Sequence, residues 1–171
     1  MIRLVLDTNV LVSANLNEEG LEALVLSLGF NRKLRICVSK PIFDEYERVL
    51  LYPRLKFDPQ QIRRFLKRLR RESILIKPTL RLSESPDEAD NRFLECADAA
   101  VAEFLVTGNK RHFPKSWKAT QVVNARELLG LLSSSFQGYP LRSRSRLVPN
   151  NPEVISAERT GPATQAGVFG C

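Results

Sequence analysis

Ile2-Arg3-Leu4-Val5-Leu6-Asp7-Thr8-Asn9-Val10 begins as a short, nearly all-apolar run and stops on an acidic residue. A run this short and this apolar, without alternation, suits a strand buried on both faces of a parallel sheet. An acid at its carboxyl end stands where open parallel sheets bind their ligands. Further runs follow at Arg35-Ile36-Cys37-Val38, Ile74-Leu75-Ile76 and Phe104-Leu105-Val106, with a shorter one at Gln121-Val122-Val123. Each is separated from the next by a segment long enough for a helix. Strands alternating with helices predict an α/β class chain, with about five parallel strands and helices on both faces of the sheet.

The intervening segments carry their own helix signals. Ser39 lies just before Pro41, and Ile42, Tyr46, Val49 and Leu50 then form an apolar stripe at helical spacing. Asp58-Pro59-Gln60-Gln61 reads as an N-cap followed by proline at the first helical position, leading into Ile62, Phe65, Leu66 and Leu69. Ser85-Pro86-Asp87-Glu88 repeats the capping pattern and opens a helix whose Phe93, Ala97, Ala100 and Val101 are expected to face the core. From about Ser133 the apolar period is lost. Residues 133–171 read as a basic tail, mostly disordered from Phe136 to Cys171 and carrying Arg142, Arg144 and Arg146, leaving one folded domain over 1–132.

Length and composition agree with one domain, since 171 residues with 43% apolar content can bury a single proper core. No stretch approaches a membrane span, and the N-terminus is not read as a signal peptide. Cys37, Cys96 and Cys171 are odd in number and have no redox or metal-ligand spacing, which points to a reducing, cytoplasmic setting. With His112 as the only histidine, zinc sites and Ser-His-Asp or Cys-His mechanisms are poorly supported. A formal charge of +7 favours polyanionic partners, although charge of this size also occurs in proteins that are merely soluble.

Each candidate for chemistry has a plain structural alternative. Asp7 is a site candidate by position, or the cap of a helix starting at Thr8. Glu45, one turn into the helix after the second strand, leans over the same sheet edge if that strand neighbours the first; Asp44 and Glu47 beside it equally suit the helix dipole. Asp87 and Asp90 share a helix face, with Asn91 one position further round and Glu88 assigned to the cap. Close carboxylates repel one another, and a bound cation would offset this. Val106-Thr107-Gly108-Asn109-Lys110-Arg111-His112-Phe113-Pro114 ends the fourth strand with small and polar residues, then offers Lys110, Arg111 and His112, either as a phosphate-facing loop or as a turn. Arg63, Arg64, Lys67, Arg68, Arg70 and Arg71 surround one apolar stripe, either as a solvated face or as a phosphate-tracking surface.

Taken in order, Val5 to Ala14, Ser39 to Glu45, Asp87 to Ala100 and Leu105 to Asn109 resemble the PIN-domain family, most closely its VapC-like toxin branch. The resemblance covers about residues 1–132 and omits the tail. It implies a Rossmann-like, three-layer α/β/α domain, Mg²⁺ or Mn²⁺ in an acidic pocket, and endonucleolytic cleavage of RNA. On that pattern Asp7, Glu45 and Asp90 are the catalytic, metal-holding acids. Thr8, Asn9 and Thr107 match small polar positions lining the pocket, and Lys110 and Arg111 would hold flanking phosphates. Where many members carry a fourth acid after Thr-Gly, this chain has Asn109, a departure that brings in a second expectation, an RNA-binding module without turnover. The toxin branch further implies a small antitoxin partner covering the pocket, and a homodimer remains open. A phosphoacceptor signalling domain is disfavoured, because Ile74-Leu75-Ile76 runs into Lys77-Pro78-Thr79 rather than into an aspartate.

Overall fold

The structure, a computed structural model, describes residues 1–82 and 88–135. The expectations placed on Ser85, Pro86 and Asp87, and on the tail from Phe136, lie outside those residues. In chain order the elements are β1 (Arg3–Leu6), α1 (Thr8–Leu16), α2 (Leu21–Phe30), β2 (Arg35–Ser39), α3 (Lys40–Leu50), α4 (Pro59–Glu72), β3 (Ile74–Ile76), α5 (Glu88–Ala100), β4 (Phe104–Val106), β5 (Ser116–Trp117), β6 (Thr120–Val123) and α6 (Ala125–Ser135). All belong to one unit.

The sheet runs β3-β2-β1-β4-β6-β5. Five strands are parallel, and they are the five apolar runs of the sequence. The sixth, two-residue β5, pairs antiparallel with β6 and closes that edge; at two residues it is too short to leave a periodic signal. β1 is central and wholly apolar where buried, with Leu4, Val5 and Leu6 all fully buried. Such a strand must be covered on both faces, and the result is a three-layer α/β/α sandwich. α5 packs across β1, β2, β3 and β4, while α2 packs on α1, α4 and α6.

Local chemistry explains most boundaries. Asp58 caps α4 as expected, its Oδ1 accepting from the Gln60 N–H at 2.9 Å, with Pro59 at the first helical position. Ser39 occupies the N-cap of α3 without a side-chain capping bond, and Pro41 follows at the second helical position. Of that helix's stripe, Ile42, Tyr46 and Leu50 are buried. On α2, Gly29 is needed for close approach, because a Cβ there would lie 2.3 Å from Ile36 Cδ1 in the packed core.

Two sequence readings need correction. Val101 does not face the core; it is 69% exposed. The helix has already ended at Ala100, and Val101 adopts φ 49° while the Ala102 N–H bonds back to the Ala97 carbonyl at 2.9 Å. That left-handed turn suits glycine better than a β-branched residue, so the apolar pattern overran the true boundary. Ile74-Leu75-Ile76 forms an edge strand, and Leu75 is 56% exposed.

Candidate active site

The sheet reverses its winding between β1 and β4, with β2 and β3 outward on one side and β6 and β5 on the other. A reversal of this kind opens a crevice outside the strands' carboxyl ends, because successive connections leave toward opposite faces. Asp7 directly follows β1 and Thr107 directly follows β4. Parallel register therefore sets side by side two residues one hundred positions apart, and the Thr107 hydroxyl donates to Asp7 Oδ2 at 2.6 Å. The Asn9 amide donates to the same oxygen at 2.5 Å and reaches Thr107 Oγ1 at 3.3 Å. Asn9 Oδ1 in turn accepts from the Gly108 N–H at 2.8 Å, and the Asn109 N–H donates to Thr107 Oγ1 at 2.9 Å. The loop after β4 is thus fastened to the first turn of α1 through its polar side chains.

Because β2 pairs with β1, α3 begins at the same edge and brings Glu45 to it. Glu45 Oε1 accepts from the Thr8 hydroxyl at 2.5 Å. Its neighbour Tyr46 is fully buried and donates its hydroxyl to the carbonyl of Leu6, one residue before Asp7. Asp90 lies in the first turn of α5, buried, with Oδ2 3.3 Å from His112 Nδ1. Phe93, one turn further along α5, meets Tyr46 at 6.5 Å and Phe113 edge-on at 6.3 Å between ring centroids. One aromatic cluster therefore ties together the elements carrying Glu45, Asp90 and His112.

The electrostatics follow from this crowding. Burial pushes the Asp7 carboxyl above its ordinary value, against the Thr107 hydroxyl, the neighbouring N–H groups of Thr8 and Asn9, and the Asn9 amide. Burial is also the main cause raising Glu45; the Thr8 hydroxyl opposes it, the charge of Asp7 adds to it, Arg48 opposes it, and the charge of Asp90 adds to it. Glu45 therefore feels both other acids. Among the described residues no three His, Cys, Asp or Glu side chains are grouped as a ready metal cage. The Asp7 and Glu45 oxygens are instead turned onto hydroxyl and amide donors. As a donor set, hard carboxylate oxygens, with Glu45 raised in part by the charges of Asp7 and Asp90, suit a divalent cation of the Mg²⁺ or Mn²⁺ type.

The raised values carry a sign. Between an acid's ordinary pKa and its raised folded value the native state holds more protons than the unfolded chain. Stability from Asp7 and Glu45 is therefore greatest below their ordinary values of 3.8 and 4.5, and is lost as pH rises through the raised ones. In chelator, Glu45→Gln should melt progressively higher than the unmodified protein as the pH is brought from acid to neutral. Thermal unfolding across pH checks this, and a melting difference flat with pH would contradict burial as the cause.

Not every candidate faces the crevice. Lys110 Nζ pairs with both Glu127 carboxylate oxygens at 2.8 and 2.9 Å, on α6. Asn109 and Arg111 are exposed, and Asn109 uses its backbone to close the turn onto Thr107. Three residues were not singled out for their places in this arrangement. His112 reaches Asp90 only because the loop after β4 folds back over α5, which no local pattern announces. Tyr46 reads as one member of a core stripe. Glu95, 3% exposed, accepts from the Leu82 N–H at 2.9 Å and from Arg92 at 3.0 Å, anchoring residues 81–82 to α5. Cys37 and Cys96 are buried free thiols, pushed up to about 11 and about 12 chiefly by burial, so neither is a nucleophile at neutral pH.

Comparison with known proteins matches the chain to a family and to a relative. The family described as PIN domain matches residues 3–111, from β1 through the loop after β4. An uncharacterized protein of Methanocaldococcus jannaschii is 31% identical over 112 residues, covering 64% of this chain and 72% of its own length.

Proposed function

The chain belongs to the PIN domain family, whose members are in general nucleases, and from that premise we propose that it is a metal-dependent endoribonuclease acting in a reducing cytoplasm. What supports the proposal is that Asp7 ends the central strand at the sheet's reversal point, that α3 brings Glu45 to the Thr8 hydroxyl beside it, and that Glu45 responds to the charges of both Asp7 and Asp90. Asp7, Glu45 and Asp90 would hold Mg²⁺ or Mn²⁺, and the bound ion would supply activation of a water and neutralisation of charge on the scissile phosphate. The protein's own groups do the positioning. Thr107 and Asn9 hold Asp7 in place, Thr8 holds Glu45, and the Tyr46 hydroxyl ties the end of β1 to α3. His112 lies against Asp90 and limits its rotation. Exposed Arg111 is free to meet a flanking phosphate, whereas Lys110 must first leave Glu127.

The decisive assay is Mn²⁺ titration of purified protein with single-stranded RNA. Cleavage that needs the ion and stops with chelator supports the proposal. A second reading, RNA binding without turnover, is favoured by one feature: Asn109 stands where the family pattern often has an acid, and its side chain is exposed. Tight RNA binding with no cleavage at any Mn²⁺ concentration would select it. The biological setting we propose is the toxin half of a toxin-antitoxin pair. The neighbouring gene should then encode a small protein that suppresses growth arrest caused by this chain, and a neighbour without that effect would remove the toxin assignment.

A further inference from the structure

Every exposed position of α4 from Arg63 to Arg71 is a cation: Arg63, Arg64, Lys67, Arg68, Arg70 and Arg71. At 100° per residue they fan over an arc of about 160° along about 12 Å of helix. Ile62, Leu66 and Leu69 face the opposite way and are buried. A helix face that is merely solvated intersperses both signs, because opposite charges three or four apart stabilise and like charges destabilise. Here Arg63 and Lys67, Arg64 and Arg68, and Lys67 and Arg71 are all like-charged pairs at four-residue spacing. Among the described residues Arg63, Arg64 and Lys67 make no ion pair, and of the six only Arg71 does, with Glu72 at 2.9 Å. The Arg68 Cζ lies over the Phe30 ring at 4.3 Å and the Arg70 Cζ over Phe43 at 5.6 Å from the ring centroids, which restricts two guanidinium groups.

We propose that this face of α4 is a second RNA-binding surface, gripping the phosphate backbone of the strand beyond the cleavage site. It rests on RNA being the substrate, as argued above. Two observations favour a polynucleotide over other polyanions. A membrane-lying helix needs apolar side chains to insert beside its charges, and α4 has no large exposed hydrophobic residue. Protein interfaces bury a core poor in charge, whereas six cations, five of them arginine, suit repeated phosphate contacts. Arg70 also lines a groove of about 220 Å³ with Val38, Phe43, Leu75 and the Lys40–Asp44 ion pair. That groove borders the first turn of α3, the helix that also carries Glu45.

The test combines Arg63→Gln, Arg64→Gln and Lys67→Gln in one full-length protein. Glutamine keeps helix propensity and removes repulsion, so melting should be unchanged or higher. Binding of a fluorescent single-stranded RNA of about 30 nucleotides is read in chelator, where cleavage cannot intervene. At about 0.7 per phosphate, the slope of log affinity against log salt should become shallower by about 2, with affinity about 100-fold lower near 0.1 M salt. With Mn²⁺, the variant should cleave a short oligonucleotide at the unmodified rate and a long RNA with raised KM. Unchanged affinity and slope would overturn the proposal. So would an equal loss in a control carrying Lys33→Gln, Lys115→Gln and Arg126→Gln, which would reduce the effect to net charge. Loss of binding to anionic vesicles with RNA binding intact would also overturn it. If the unmodified protein binds RNA through α4 yet cleaves none, nuclease function fails while this surface stands.

Discussion

Asp7→Asn should lower Mn²⁺-dependent RNA cleavage by about 1000-fold or more while leaving the protein folded. A divalent ion stabilises a phosphoryl transition state by several kcal/mol, and each 1.36 kcal/mol lost is tenfold in rate, so forfeiting about 4 kcal/mol gives that factor. The fold should survive because the asparagine oxygen can still accept from Thr107 and Asn9, the two donors now on Asp7 Oδ2. Without metal the variant should melt at the same temperature or higher, since a buried charge with a raised pKa has been removed. Asp90→Asn should lose activity similarly, because it removes the acid that α5 contributes from its first turn, while the near-isosteric amide still fills the buried position one turn before Phe93. If both acids serve one ion, the double variant should be hardly worse than either single one. Retention of activity within about tenfold, in a preparation cleared of contaminating nucleases, would remove the altered residue from the catalytic set.

Phe93→Ala should cost about 3–5 kcal/mol of stability. Phe93 is 1% exposed, and its ring packs against both Tyr46 and Phe113. Truncation leaves a cavity whose walls belong to β-sheet-anchored helices that cannot close in fully. For a domain of this size, whose total stability is about 5–15 kcal/mol, that is about a fifth of the whole or more. Urea unfolding would show the midpoint falling with little change in slope. A functional consequence should accompany it, because Tyr46 adjoins Glu45, Phe113 adjoins His112, and Phe93 lies one turn from Asp90. Cleavage at a temperature where the variant remains folded should therefore drop as well. A loss of stability below about 1 kcal/mol would show that the three rings are not the packing centre joining α3, α5 and the loop after β4.

Sequence alone determined the class of fold and the five parallel strands of the sheet, though not the two-residue β5. Buried parallel strands have to be apolar on both faces, and that demand leaves runs such as Leu4-Val5-Leu6 and Phe104-Leu105-Val106 legible without neighbours. Helix entry at Asp58-Pro59 was legible for a similar reason, since capping is settled within one turn of chain. The end of α5 was not. An apolar Val101 continues the helical pattern, and only the left-handed turn into β4 places it in solvent. Asp7, Glu45 and Asp90 were readable as candidates because each sits at or just past a strand end or helix start. The response of Glu45 to the other two was not readable, because it depends on strand order: β1 between β2 and β4 sets Asp7 against Thr107 and brings α3 to the same edge. Lys110 shows the converse. Its position after β4 suggested a phosphate contact, and the packing of α6 supplied Glu127 as a nearer partner. Periodicity, capping and composition are properties of neighbours along the chain, so sequence holds them. Which hydroxyl meets which carboxylate, and which cation is already paired, are decided by residues up to one hundred positions apart, and only the assembled sheet brings those together.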